Sequence, residues 1–352
     1  MVPRVGIASG RCFAGNAALL GASDVIIATL DANIGMAGPA MIEGGGLGVY
    51  RPEEIGPMSV QTKNGVVDIL VKDDADAVRV AKKYISFFQG PLLTWDTPDQ
   101  RLLRECIPEN RLRIYDVYTV LQTVVDANSF LELRADFGKG MVTAFGRVEG
   151  KSVGIIANNP AHKSGAIDSD GADKAARFMQ LCSTFDIPLV SFCDTPGIMV
   201  GPEAESTALV RHAARLFVTS ASLTVPMFSI VLRKGYGLGA QAMTGGSFKR
   251  PAFTVSWPTG EFGGMGLEGA VKLGFKKELE AITDDVEREK VYQQKVEDLY
   301  QNGKAVNYAT AFELDAVIDP SHTRNWISRG LKAISPSQRQ QGERLRTFVD
   351  TW

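Results

Sequence analysis

A run of glycines that directly follows an apolar, strand-like segment is the part of this sequence best suited to chemistry. The run lies in residues 231–246 (VLRKGYGLGAQAMTGG), and the apolar stretch is 226–232 (PMFSIVL). A strand that ends in glycines and passes into a helix leaves several backbone N–H groups without partners, all pointing the same way. Such a turn can bind a negatively charged oxygen, although a lone Gly-x-Gly is more often a simple connection.

A second stretch near the start of the chain has the same pattern. Residues 2–8 (VPRVGIA) are typical of a strand, 10–16 (GRCFAGN) form a turn of small residues, and 17–20 begin a helix. Another strand-like run, 25–29 (VIIAT), follows. This order predicts parallel strands with helices outside the sheet. Because the pattern occurs twice, we favour two oxyanion-binding turns over two unrelated connections.

Few other groups have the spacing of a catalytic or metal-binding site. The three histidines show no metal-ligand spacing, the four cysteines stand singly, and no Ser/His or His/Asp pair stands out. We therefore expect no metal. Arg233 and Lys234 directly precede the glycine run. They either bind a carboxylate or a phosphate, or they are ordinary charges at the end of a strand.

The composition is that of a globular protein and excludes several classes. Of 352 residues, 45% are hydrophobic and 22% charged, and the net charge of −2 lacks the basic excess of nucleic-acid binding proteins. No apolar run approaches the roughly 18 residues of a membrane span, and the start, MVPRVGIASG, lacks the pattern of a signal peptide. With the single cysteines, these features predict a cytoplasmic protein.

The chain divides into two comparable units. Residues 90–112 carry three prolines and dense charge without a sustained period, which is typical of a linker. We therefore predict a first domain at residues 1–90, a linker at 91–112 and a second domain at 113–352.

Three segments of the second unit are assigned from their pattern. Residues 204–218 favour a single helix, and residues 276–302 are long and charged with sparse apolar positions. That second pattern is typical of a projecting helix or a helical hairpin. The tail to Trp352 is predicted to be helical, although its run SPSQRQQGER is polar.

Several long motifs, in a fixed order, carry a family resemblance. They are SGRCFAGNAALLGASDVIIAT (9–29), FGRVEGKSVGIIANNP (145–160), GAIDSDGADKAARFMQLCSTFDIPLVSFCDTPGIMVG (165–201), TVPMFSIVLRKGYGLGAQAM (224–243), SWPTGEFGGMGLEGAV (256–271) and FELDAVIDPSHTRNWISRGL (312–331). They resemble the carboxyltransferase (β) subunit of biotin-dependent acyl-CoA carboxylases, of the propionyl-CoA and acetyl-CoA carboxylase type. The resemblance covers nearly the whole chain.

The resemblance implies a crotonase-like (ClpP/crotonase) superhelical ββα fold of the α/β class with two homologous domains. It also implies that the first domain is incomplete, because the family normally has a large segment before the equivalent of Val2. Residues 1–90 would then be the C-terminal part of that domain. In the family, the first domain of one subunit faces the second domain of another. The chain is therefore expected to form a homo-oligomer, a hexamer, with its active site at a dimer interface.

The implied activity is the transfer of CO2 from carboxybiotin to the α-carbon of an acyl-CoA. Biotin on a carrier protein is the expected cofactor, and biotin carboxylase and biotin carboxyl carrier protein are the expected partners. Two alternatives stay open: a biotin-dependent acyl-CoA decarboxylase subunit, and an inactive assembly subunit or fragment that binds a biotin carrier. The resemblance does not determine which acyl-CoA is used.

The resemblance also implies the site residues. Ala14 and Gly15 fall on one oxyanion hole, and Leu238 and Gly239 fall on the other, while the distribution of biotin and thioester between the two stays open. Gln241 falls on the position that selects acyl length, where carboxylases for short acyl groups commonly carry an acidic residue. The remaining substrate-binding residues implied are Thr195, Pro196, Gly197, Tyr236, Gly237, Glu261, Phe262 and Gly263.

Overall fold

Strands and helices alternate along most of the chain. The computed structural model describes residues 2–334 and 348–352. Within them the strands are β1 (Val5–Ala8), β2 (Arg11–Phe13), β3 (Val25–Thr29), β4 (Asn33–Gly35), β5 (Ile69–Val71), β6 (Leu131–Leu133), β7 (Met141–Val148), β8 (Lys151–Asn158), β9 (Leu189–Thr195), β10 (Met227–Tyr236), β11 (Phe253–Ser256), β12 (Glu261–Gly263) and β13 (Ala316–Val317). The α-helices are α1 (Gly15–Gly21), α2 (Pro39–Gly44), α3 (Met58–Gln61), α4 (Asp74–Ser86), α5 (Val117–Val124), α6 (Ser169–Thr184), α7 (Pro202–Glu205), α8 (Leu209–Ala221), α9 (Gly237–Met243), α10 (Leu267–Gly274), α11 (Lys276–Glu280), α12 (Asp285–Gly303), α13 (Ala305–Thr310) and α14 (Thr323–Ala333). The predicted α/β class is confirmed.

The largest sheet has parallel strands at its centre. Its order is β13-β11-β10-β9-β8-β7-β6, and β12 also pairs with β10. From β13 to β8 the pairs are parallel, whereas β7 is antiparallel to both β8 and β6. The strands β9 and β10 are almost wholly buried, as expected for parallel strands that helices cover on both faces.

Two small sheets form the first unit. The order β1-β3-β5 is parallel throughout, with Val5 opposite Val25, and β2 pairs in parallel with β4. The helix α1 packs against β1 and β2. The predicted arrangement of a strand, a small-residue turn, a helix and a parallel strand is confirmed for this unit.

One hydrophobic core joins the two units. Val25 and Ile27 of the first sheet belong to the same buried cluster as Phe145 and Phe178 of the second unit. The Tyr84 ring of α4 meets the Phe145 ring edge-on at 5.8 Å. The two units are therefore packed together rather than separated by solvent.

The segment predicted as a linker is packed on the second unit. A 3-10 helix occupies Gln100–Glu105, and Leu103 within it is 1% exposed. The backbone N–H of Leu92 donates to the carbonyl of Gly150 at 3.0 Å, and the side chain of Arg104 pairs with Asp319. The few apolar residues of this segment fix it to its neighbours, and its role as a linker between two domains stays a prediction.

The prediction of a single helix for residues 204–218 is wrong, because the helix is interrupted before Leu209. Ala208 has a φ of 57°, in the left-handed region. The hydroxyl of Thr207 donates to the carbonyl of Ala204 at 2.7 Å, which closes α7 locally. Only α8, from Leu209, continues as a regular helix.

Of the two structures predicted for residues 276–302, a projecting helix or a helical hairpin, the chain forms the helical hairpin. The helix α11 ends at Glu280 and α12 begins at Asp285, with the Asp284 carboxylate accepting the N–H of Glu287 at 2.8 Å. The helices α10, α11 and α12 enclose a small core that includes Tyr236. Most of the predicted helical tail, residues 335–347, lies outside the described residues.

Buried charges fasten the first sheet to the second unit. The Asp68 carboxylate accepts the N–H of Ile26 at 2.7 Å and the Nε of Arg134 at 3.1 Å. The Arg134 guanidinium lies 5.5 Å from the centre of the Trp352 ring, and Thr351 accepts from the Nε of Arg177 at 3.2 Å. Residues of the first sheet, of the second unit and of the segment 351–352 thus meet around the buried Asp68 and Arg134.

Removing this buried carboxylate should destabilise the protein. In Asp68→Ala, Arg134 would lose its buried ion-pair partner and the N–H of Ile26 would lose its acceptor. We expect the free energy of unfolding to fall by about 3–5 kcal/mol, measured by urea denaturation. Glu54→Ala, which removes an exposed pair with Arg51, is the control and should change stability little. Equal losses in the two variants would contradict this assignment.

Candidate active site

The candidate site lies where the two central strands of the large sheet end. The turn at residues 195–197 follows β9 and the turn at residues 236–239 follows β10. The strands are parallel neighbours, with Gly235 opposite Thr195. Their carboxyl ends therefore reach the same sheet edge, which is where open α/β sheets bind ligands.

Glycine is required where the two turns touch. A Cβ atom added to Gly239 would lie 2.6 Å from the carbonyl carbon of Gly197. Gly237 has a φ of 54°, and a Cβ there would lie 2.6 Å from the carbonyl oxygen of Gly264. The backbones of three segments therefore approach one another directly, without side chains between them.

The backbone donors of the turn after β10 lie at the start of a helix. Leu238 and Gly239 belong to the first turn of α9, where N–H groups have no acceptor within the helix. The Leu238 side chain is 62% exposed. This turn is therefore a candidate donor of N–H groups to a negatively charged oxygen, and its use as an oxyanion hole stays a prediction.

An apolar groove of about 670 Å³ runs beside this turn. Its lining comes from the turn itself, the residues after β9, the helix α8 and the loop after β12. The lining residues are Pro196, Gly197, Ile198, Met199, Val200, Glu205, Leu209, Val210, Ala213, Ala214, Phe217, Gly237, Leu238, Gly264, Met265 and Gly266. Four of the predicted site residues thus line one groove: Pro196, Gly197, Gly237 and Leu238.

Thr195 stabilises the turn at residues 195–197, which lines part of the groove. It is fully buried; its hydroxyl donates to the carbonyl of Gly197 at 3.0 Å and accepts the N–H of the same residue at 3.2 Å. Thr195 therefore closes the turn whose backbone faces Gly239, and it does not itself face the groove.

Three other predicted binding residues lie beneath the groove rather than in its wall. Phe262 is 3% exposed and stacks on Tyr308 with ring centres 4.4 Å apart. Tyr236 is 2% exposed and packs in the core of the helical hairpin. Glu261 is 1% exposed. None of the three lines the groove, and their predicted part in substrate binding stays a prediction.

Glu261 and Tyr236 are buried polar residues near the turn. Burial raises the pKa of Glu261, while Arg111, whose Nη1 lies 3.9 Å from its Oε2, opposes the rise. Burial and then the neighbouring Glu261 raise the pKa of Tyr236. Arg111 also holds Glu268 at 2.7 Å. Tyr236 and Glu261 belong to β10 and β12, which pair directly before the glycine turn.

Gln241 and Gly263 lie at the surface near the turn. Both are exposed, and neither is among the residues that line the groove. Gln241 stands one helical turn after Gly237, on α9. Its predicted role in acyl selection remains a prediction.

Arg233 and Lys234 are bound internally. The Nη1 of Arg233 donates to the carbonyl of Arg113 at 2.7 Å and its Nη2 lies 3.2 Å from the Asp194 carboxylate. The Nζ of Lys234 donates to the carbonyl of Ser164 at 3.0 Å, and burial lowers the pKa of Lys234 against the opposing effect of Asp194. The alternative of a phosphate or carboxylate site is therefore not supported for this pair.

The turn near the start of the chain is strained. Ala14 has a φ of 56° and a ψ of −127°, a conformation that is costly for a residue other than glycine. Its N–H donates to the carbonyl of Gly35 at 3.1 Å. That donor is therefore already paired. Gly15 and Asn16 are exposed in the first turn of α1, and the predicted place of Ala14 and Gly15 in an oxyanion hole stays a prediction.

The two turns occupy separate sheets of the chain. The helix α1 packs against β1 and β2, whereas α9 packs against α8, β9 and β10. Among the described residues, no cluster of three or more His, Cys, Asp and Glu side chains could hold a metal ion. Within the same residues, no helix is both long and apolar enough to cross a membrane.

Comparison with known proteins identifies the class and the family. A model of the carboxyl transferase domain matches residues 1–348. The methylmalonyl-CoA carboxyltransferase 12S subunit of Propionibacterium freudenreichii subsp. shermanii is 34% identical over 345 residues, 94% of this chain and 64% of that protein. A single-chain, multi-domain long-chain acyl-CoA carboxylase is 59% identical with a TM-score of 0.89, over 93% of this chain and 32% of that one. A transcarboxylase 12S hexamer with bound methylmalonyl-CoA is 31% identical with a TM-score of 0.84, over 96% of this chain and 68% of that one.

The predicted crotonase-like α/β fold is thus confirmed. The chain belongs to the carboxyl transferase family. It spans 64% of the length of the 12S relative.

Sequence reasoning predicted a helix in residues 204–218 but did not place it in the wall of the groove. Leu209, Ala213 and Phe217 lie four residues apart on α8 and line the groove together. That spacing is visible in the sequence and predicts one apolar helical face. It does not reveal that the face meets the glycine turn, since this depends on the strand order.

The contact between the two turns can be tested by adding one methyl group. Gly239→Ala should lower the free energy of unfolding by about 1–3 kcal/mol, because its Cβ would force the turns apart. Gly264→Ala is the matched control, since a Cβ there meets no atom within 4 Å. Thermal and urea unfolding of both variants provide the measurement. A Gly239→Ala protein as stable as the control would show that the turns are not in close contact.

Proposed function

We propose that the protein containing this chain is the carboxyltransferase component of a biotin-dependent acyl-CoA carboxylase. The observation that carries the proposal is the glycine turn at residues 236–239, whose first-turn amides adjoin an apolar groove. The relatives named above as carboxyltransferases and acyl-CoA carboxylases support the reaction class.

In this reaction carboxybiotin is a substrate brought by a carrier protein, and it supplies both CO2 and a basic ureido nitrogen. One N–C bond and the C–H bond at the α-carbon of the acyl-CoA break. One C–C bond and one N–H bond form, so the α-proton ends on the ureido nitrogen. No side-chain base is needed, in agreement with a groove whose lining is apolar apart from Glu205.

The role of the protein is to stabilise negative oxygens. Charge develops on the thioester carbonyl oxygen and on the ureido oxygen as the bonds change. The amides of Leu238 and Gly239 serve one oxygen and the amide of Gly15 serves the other. In comparable sites, each preorganised donor contributes about 2.7–4 kcal/mol. The strained backbone of Ala14 orients the Gly15 amide. Experiment must assign each turn to one of the two oxygens.

Assembly and partners follow from the same proposal. The two turns lie in separate sheets, so a turn from one subunit would face the other turn of a second subunit in a homo-oligomer. A hexamer is the natural candidate, since the 12S relative assembles as one. The partners would be biotin carboxylase and biotin carboxyl carrier protein. The four cysteines are free thiols, which supports a reducing, cytoplasmic location.

The activity test uses malonyl-CoA or methylmalonyl-CoA with free biotin. The proposed function predicts biotin-dependent loss of the carboxyl group, measured as acetyl-CoA or propionyl-CoA by chromatography. Addition of a biotin carrier protein distinguishes the rivals. If a folded oligomer binds the carrier without turnover, the assembly role is favoured and the proposed enzyme activity is contradicted. If turnover is coupled only to CO2 release, the decarboxylase is favoured.

Acyl preference can be tested at position 241. Gln241→Asp should shift kcat/KM by about tenfold toward propionyl-CoA over a longer acyl-CoA, because an acidic group there disfavours an apolar chain nearby. Gln294→Asp, an exposed glutamine on α12, is the control and should leave the ratio unchanged. An unchanged ratio in Gln241→Asp would remove Gln241 from the acyl site.

A further inference from the structure

The pairing of the two central strands is irregular directly before the candidate site. Val231 lies opposite Cys193 and Gly235 lies opposite Thr195, so four steps along β10 match two along β9. The extra residues bulge out of the ladder, and a bulge leaves backbone groups without ladder partners. The bulge therefore shifts the register of β10 against β9 directly before the glycine turn.

The Asp194 carboxylate binds a backbone N–H in the bulge, in place of a partner in the strand ladder. Its Oδ1 accepts the backbone N–H of Lys234, in the bulge, at 3.0 Å. Its Oδ2 accepts the hydroxyl of Tyr115 at 2.8 Å and lies 3.2 Å from the Nη2 of Arg233. Asp194 is fully buried, so these contacts replace its solvation.

Arg233 balances the buried charge and is itself held in place. It is 3% exposed, and its guanidinium lies 4.8 Å from the centre of the Tyr115 ring. Its Nη1 donates to the carbonyl of Arg113 at 2.7 Å. The cluster thus ties the chain at residues 113–115 to both central strands.

The position of Asp194 in the sequence links these contacts to the candidate site. Asp194 directly precedes the turn at residues 195–197, and Lys234 lies two residues before the glycine turn at residues 236–239. A bond between Asp194 and Lys234 therefore fixes the spacing of the two turns, which touch at Gly239. We propose that Asp194 is a positioning residue that sets the register of the oxyanion turn, with Arg233 and Tyr115 holding its carboxylate. This inference rests on the proposed function for its effect on turnover.

The kinetic test compares Asp194→Asn and Tyr115→Phe with Asp126→Asn. Asp126 is the matched control: it is a buried aspartate that accepts two backbone N–H groups and pairs with Arg324 at a distant hairpin. With malonyl-CoA and free biotin, Asp194→Asn should lower kcat at least about tenfold with KM within about twofold, as expected for misplaced donors. Tyr115→Phe should lower kcat about threefold. Asp126→Asn should keep kcat within about twofold.

Hydrogen exchange tests the positioning without turnover. Amides at residues 234–239 should exchange at least about tenfold faster in Asp194→Asn than in the wild type, and Tyr115→Phe should show a smaller increase. Asp126→Asn should leave them unchanged. If the wild type fails to turn over substrate, the proposed function fails while this exchange comparison still decides the positioning. Unchanged exchange at 234–239 in Asp194→Asn or Tyr115→Phe would overturn the inference, as would equal kcat losses in Asp194→Asn and Asp126→Asn.

Discussion

Gly239 lies so close to the turn after β9 that a Cβ atom at this position would come within 2.6 Å of the Gly197 carbonyl carbon. This contact requires parallel neighbouring strands that end together, a turn closed by Thr195, and a strand register shifted before Gly235. The groove beside it exists because the same turns leave backbone, rather than side chains, at the sheet edge. Much of the architecture of the second unit serves to hold these two backbones in place.

The sequence could predict the position of the turn because the end of a strand and the start of a helix depend on local pattern. A buried strand, a glycine run and a helix start each have short-range signals, and both turns were located from them. The parallel pairing of the first unit followed from the order of its elements. Four of the site residues that the family resemblance implied line one groove.

What the sequence could not predict depends on contacts between distant residues. Phe262 and Tyr236 stand beside the glycine turns in sequence, yet aromatic neighbours and the hairpin core enclose their side chains. Arg233 follows an apolar strand, where a free cation was one alternative, but Asp194 and Tyr115 bind it. The occupied amide of Ala14 depends on Gly35, which is far enough along the chain to leave no local signal.

The central claim is that the amides of the glycine turn at residues 236–239 bind a negative oxygen of a substrate. Crystal structures of the protein with free biotin, and separately with an unreactive acyl-CoA analogue, test it most directly. The account predicts that the ureido oxygen or the thioester oxygen lies within about 3.2 Å of the amide nitrogen of Leu238 or Gly239. Both ligands bound with their oxygens away from this turn would contradict it.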